Sequence, residues 1–140
     1  MIKPAAFFVA LAASLSAAQG QDVPSTGDVS SEELSPGEAE LLDTIGDRVA
    51  EASQACLPLR GLRNMSIIEG TAIVFDYGST IYVNRTTAPY ALRENDRLVT
   101  QRTLGRMCRL DVVRKEDRFN GFYTGTVAMD EFMPYRRIDG

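Results

Sequence analysis

The chain has 140 residues, enough for one domain, with 15 Lys+Arg against 19 Asp+Glu, a formal net charge of −4, 44% hydrophobic residues, 2 Cys, no His and no Trp. Without histidine there is no Ser-His-Asp or Cys-His machinery, no imidazole ligand and no side chain whose ordinary pKa lies near neutrality. Two cysteines plus carboxylates make a poor zinc donor set, so neither a metal nor a cofactor is expected.

The first twenty residues hold fourteen apolar ones, with Lys3 as the only charge, an apolar run from Ala5 to Ala13 and a small-residue stretch from Ser14 to Gly20. That order is a secretory signal peptide over residues 1–20, too short for a stable bilayer anchor. Cleavage falls after Ala18 or after Gly20. The remaining 120 residues carry 14 basic and 19 acidic groups, are globular in composition and contain no later transmembrane pattern. The expected location is therefore periplasmic or secreted.

That compartment bears on the cysteines. Cys56 and Cys108 are the only two, and an exported chain with an even count most simply pairs them; two buried free thiols are the alternative. A bridge closing so long a loop would stabilise the fold by about 4 kcal/mol on the chain-entropy model. Redox catalysis would more typically use a Cys-x-x-Cys pair, which is absent.

Residues 21–35, QDVPSTGDVSSEELS, have only Val23, Val29 and Leu34 to bury and read as a flexible acidic leader. The globular domain then runs over 36–140. Ser35-Pro36-Gly37-Glu38 spells a helix start, with Ser as N-cap, Pro at the first helical position and Glu completing a capping box. Leu41, Leu42, Ile45, Val49 and Ala52 recur at helical spacing, which predicts an amphipathic helix over 36–54.

Residues 57–135 change to short β-branched and aromatic runs separated by Gly, Asn and Asp, the pattern of strands. They are expected at 63–68, 71–76, 80–84, 97–103, 110–114, 122–127 and 131–135, with a tight Glu69-Gly70 turn, a loop over 88–96 and a polar turn over 116–121. The fold class is α+β and mostly β: one N-terminal amphipathic helix packed on an antiparallel meander sheet or a small open barrel.

Cys56-Leu57-Pro58-Leu59-Arg60, followed by Ile67-Ile68, Thr71 to Phe75, Ile81-Tyr82-Val83-Asn84, Leu104 to Cys108, Asp111-Val112-Val113, Gly121 and Phe132-Met133-Pro134, resembles a family of small exported bacterial proteins classed only as a domain of unknown function. The resemblance covers about residues 56–135. It implies a signal peptide, a mostly β fold and disulfide bracing, and it supplies no activity. Members of that family often carry two further cysteines, where this chain reads Ala88 to Leu92 and Ala128 to Glu131. Their joint absence implies that they pair with each other, which supports Cys56–Cys108 and leaves the loop near residue 90 without its brace.

Candidate chemistry is sparse. Arg93, Arg97, Arg102, Arg106 and Arg109 are interleaved with Glu94, Asp96 and Asp111, with no nucleic-acid motif, so nucleic acid is not an expected partner. Arg97, Arg102, Arg109, Asp111 and Tyr82 form the candidate ligand or anion face, set against an ordinary solvated sheet surface. The leading function is a non-enzymatic envelope or secreted binding domain, its partner an envelope protein or small ligand. The alternatives are a carboxylate-dependent hydrolase of carbohydrate or cell-wall material using groups such as Asp111, and a structural or inhibitor domain. Charge is segregated: residues 21–55 hold nine acids and one base, whereas 56–140 hold ten acids and thirteen bases. The acidic helix and leader are therefore expected beside the arginine-bearing face.

Overall fold

The computed structural model describes residues 33–100 and 105–138. The signal peptide, most of the acidic leader, and the 101–103 part of the expected strand over 97–103, including Arg102, lie outside these residues.

Helix α1 spans Pro36–Ile45 and starts where the sequence predicts. Ser35 Oγ accepts the Glu38 N–H at 3.2 Å, which satisfies one of the orphan donors of the first turn. The other half of the expected capping box does not form, because the Glu38 carboxylate is taken by Arg85.

The helix is shorter than the predicted 36–54. Gly46 adopts φ 60° and returns its N–H to Leu42 O at 3.0 Å, a left-handed stop that glycine supplies without a Cβ penalty. Arg48 Nη1 then donates to the carbonyls of Thr44 and Ile45, both at 3.2 Å, placing a cation at the negative end of the helix. Consequently Val49 belongs to a strand, Leu42 and Val49 are exposed, and only Leu41 and Ile45 of the expected stripe are buried.

Ten short strands follow among the described residues: β1 (Val49–Ala50), β2 (Cys56–Pro58), β3 (Asn64–Ile68), β4 (Ala72–Asp76), β5 (Thr80–Asn84), β6 (Asp96–Val99), β7 (Arg106–Cys108), β8 (Val112–Asp117), β9 (Tyr123–Ala128) and β10 (Met133–Arg136). All their pairings are antiparallel. They form three sheets, ordered β1-β10-β5-β4-β3, β2-β7 and β6-β8-β9. The single meander is thus corrected, since the last strand inserts between the first and the fifth. Among the described residues no sheet closes into a barrel.

Strand β4 explains the layering. Ala72, Ile73, Val74 and Phe75 are all buried, so both faces of the five-stranded sheet are covered. Ala72 and Val74 share a core with Leu41, Ile45, Ile68, Ile81 and Val83. Ile73 and Phe75 point oppositely, into a cluster with Leu57, Leu92, Met107, Val113, Val127, Met129 and Phe132. Helix α1 therefore lies on one face and the two smaller sheets on the other, with Phe75 and Phe132 edge to face at 5.7 Å between centroids.

The cysteines pair. Cys56 and Cys108 stand directly opposite one another in the β2–β7 ladder, with an S–S distance of 2.06 Å. β7 falls outside the strands expected from sequence; Leu110, expected to open a strand, instead sits in a turn at φ 69°, and β8 begins two residues later. The segment near residue 90 forms one 3-10 turn, Pro89–Ala91. It is tied down by Leu92, which is 1% exposed and accepts the Gly70 N–H at 3.0 Å.

Candidate interaction face

The β6-β8-β9 sheet has an inner face that packs and an outer face that does not. Alternation along β8 sends Val113 and Lys115 inward and leaves Val112 and Arg114 exposed. On the inner side Lys115 Nζ donates to Asp96 Oδ2 at 2.7 Å and to Ala91 O at 2.5 Å. Thr124 Oγ1 donates to Asp96 Oδ1 at 2.7 Å. The register of β8 against β9 slips between Lys115 and Glu116, which makes Thr124 the extra residue of a bulge. This cluster, in which Lys115 and Asp96 are buried, joins four segments, and its polar contacts are spent on one another.

On the outer side, Glu116 accepts from Arg97 Nη2 at 2.9 Å and pairs with Arg114 Nε at 3.1 Å. The two guanidiniums hold its carboxyl below the usual carboxylate range, the Arg97 hydrogen bond contributing most. Arg114 also lies over the Tyr123 ring, 4.9 Å from its centroid, within cation–π range.

The β8–β9 turn is closed by its own polar atoms. Asp117 Oδ1 accepts from Phe119 N at 2.8 Å and Asn120 N at 3.0 Å, while Asn120 Oδ1 accepts from Phe122 N at 2.8 Å. Gly121, at φ 73°, donates to Asp117 O at 2.9 Å. Phe119 and Phe122 are left 80% and 72% exposed, and Tyr123 is 56% exposed. An internally hydrogen-bonded turn displays two largely exposed phenyl rings.

The sequence-predicted site residues are dispersed. Arg97 belongs to this outer face. Arg109 Nη1 lies 3.6 Å from Glu131 Oε1, and its backbone N–H donates to Ala55 O at 2.6 Å. Asp111 Oδ2 accepts the Cys108 N–H at 2.7 Å and so braces the turn after β7. Tyr82 is half-buried on β5, edge to face with Tyr77 at 5.2 Å, and the Tyr77 hydroxyl, its pKa raised by burial with Tyr82 adding to the effect, donates to Pro58 O. These four residues make separate contacts and form no single hydrogen-bonded group.

Sequence reasoning missed Arg114, Glu116, Phe119, Phe122 and Tyr123 as a group. The available signal was Phe119 inside a polar turn and Phe122 directly after Asn-Gly, since aromatics on both sides of a tight turn have no core within reach. Among the described residues, no group of three or more His, Cys, Asp or Glu is placed to hold a metal ion, and no helix is long and apolar enough to cross a membrane. A cavity of about 140 Å³ opens among Leu59, Leu62, Met65, Phe75, Leu98, Thr100 and Met107, with no charged group lining it among the described residues. Comparison with known proteins finds no matching family model, curated protein or solved structure.

Proposed function

We propose that this chain is an exported, non-enzymatic binding domain that works in the periplasm or outside the cell and docks through the outer face of the β6-β8-β9 sheet. The observation that carries the reading is the display of Phe119, Phe122 and Tyr123 beside Arg97 and Arg114 on a turn that is already fully wired. Clustered exposed aromatics next to arginines are the composition of recognition surfaces, and a pre-organised display lowers the ordering cost of binding. The apolar start of the chain, the Cys56–Cys108 bridge and the resemblance to small exported bacterial proteins support the export part of the proposal.

Oxidative footprinting of the purified protein, alone and with a whole envelope fraction, tests this reading, because phenyl and phenol rings report their own exposure. Phe119, Phe122 and Tyr123 should lose reactivity on mixing while Tyr90, which is 84% exposed, keeps its own. Unchanged labelling of the hairpin, or protection confined to other surfaces, would remove the face from consideration.

A further inference from the structure

We propose that the partner met by this face is an anionic phospholipid surface, with the β8–β9 turn entering the interface; the inference rests on the binding reading above. Three observations favour lipid over a protein groove. The first is shape. Residues 118–122 are all exposed and stand at the end of a hairpin, so Phe119 and Phe122 are displayed at its tip, 80% and 72% exposed. Protein hot spots more often sit at the centre of a packed patch.

The second is the backbone. Entry into an apolar medium is costly for any unpaired N–H. The four consecutive N–H groups of Phe119, Asn120, Gly121 and Phe122 all donate within the turn, so the tip carries its own satisfied donors into the interface. The same fact removes these donors from any role in adding a partner strand.

The third is the placement of charge. A Cβ added at Gly121 would lie 4.0 Å from Arg97 Nη2, so that guanidinium stands beside the tip. Arg118 is in the turn itself and makes no salt bridge among the described residues. Arg97 and Arg114 share the one carboxylate of Glu116. The turn, its flanking β8 residues and Arg97 together carry three guanidiniums against the two carboxylates of Glu116 and Asp117, and Arg114 lies over the Tyr123 ring. Phenyl rings at the tip, with arginines and a tyrosine around them, offer apolar groups to the acyl boundary and cations to the phosphates at its edge.

Flotation of the full mature chain with vesicles of phosphatidylcholine, with and without phosphatidylglycerol, measures the partitioning. Binding should be reversible, stronger with phosphatidylglycerol and weakened by salt. F119S/F122S should lower it about 100-fold on either vesicle. Arg118→Gln should lower it about fivefold on the anionic vesicles only.

Because the chain has no tryptophan, Phe122→Trp gives a unique probe whose emission should shift to the blue when anionic vesicles are added. Absence of flotation with either composition, flotation indifferent to F119S/F122S, or an unshifted indole emission from the Phe122→Trp variant would overturn the proposal. If vesicles fail while footprinting in the envelope fraction still protects the hairpin, the lipid proposal falls and the binding reading stands. Failure of both measurements removes both.

Discussion

Lys115 and Asp96 have side chains 4% and 2% exposed and lie 2.7 Å apart. Removing one partner from such a pair strands a buried charge, at a cost of about 3–5 kcal/mol, whereas replacing both with apolar groups of similar volume is often far milder. Lys115→Met should therefore lower the urea midpoint sharply. The double variant K115M/D96L should recover most of that loss, apart from the hydroxyl of Thr124 and the carbonyl of Ala91 that lose their partners. Equal midpoints for the single and double variants would show that the cluster contributes through packing alone. This arrangement was not legible in the sequence: Asp96 and Lys115 are 19 residues apart, and a β bulge decides which neighbour reaches them. Residue types announce charge; only register announces pairing.

Elements were legible where local chemistry was decisive. Ser35-Pro36 marked the helix start because capping is a matter of three or four adjacent residues, and β3, β4 and β5 were legible because β-branched runs were punctuated by Gly70 and Gly78. The helix end was missed because Val49 and Ala52 continue the apolar spacing past Gly46, and spacing alone does not reveal that β10 offers Val49 and Ala50 a ladder. Helix placement depends on a close approach: a Cβ added at Gly37 would lie 1.9 Å from Thr71 Oγ1 and 2.9 Å from Glu69 O. Rotation of Thr71 would not relieve this, since its Cβ also lies 3.0 Å away and the Glu69 carbonyl belongs to the main chain. Gly37→Ala should accordingly cost about 1–3 kcal/mol through a displaced helix N-terminus, visible as a lower melting temperature. A neutral result would mean that α1 tolerates a shift along the sheet.

The same helix start makes the fold sensitive to acid. Arg85 donates two hydrogen bonds to Glu38, and these, ahead of the opposing effect of burial, hold the Glu38 carboxyl below its ordinary value of 4.5. A carboxyl depressed in the folded state adds stability that is fully present above its unfolded pKa and is lost as pH falls through the lower folded value. Both side chains are partly solvated, so the contribution is modest. Stability should decline below about pH 4.5 less steeply in Glu38→Gln than in the parent. Parallel curves would place the acid sensitivity elsewhere, with Glu116 the next group to test because its carboxyl is depressed in the same direction.

At the scale of the whole molecule, the charge segregation is used, although by other arginines than the sequence suggested. Glu38 meets Arg85, just past the end of β5, and Glu51 meets Arg136 of β10, and Arg97 is left for the opposite sheet. The disulfide acts on a different part of the architecture. It ties β2 to β7, whose Leu57 and Met107 are 0% and 3% exposed within the larger core cluster. Removing it in C56S/C108S should lower stability by about 4 kcal/mol, mainly by freeing the unfolded chain, and should raise the urea dependence because that chain exposes more surface. The β8–β9 tip should be indifferent. Its turn is closed by Asp117 and Asn120 and its base by the Lys115–Asp96 cluster, none of which touches the bridge. Below its lowered melting temperature, C56S/C108S should therefore float with anionic vesicles as the parent does. A parallel loss of stability and of flotation, at temperatures where far-ultraviolet circular dichroism still shows a folded chain, would mean that the bridge positions the hairpin as well as bracing the core.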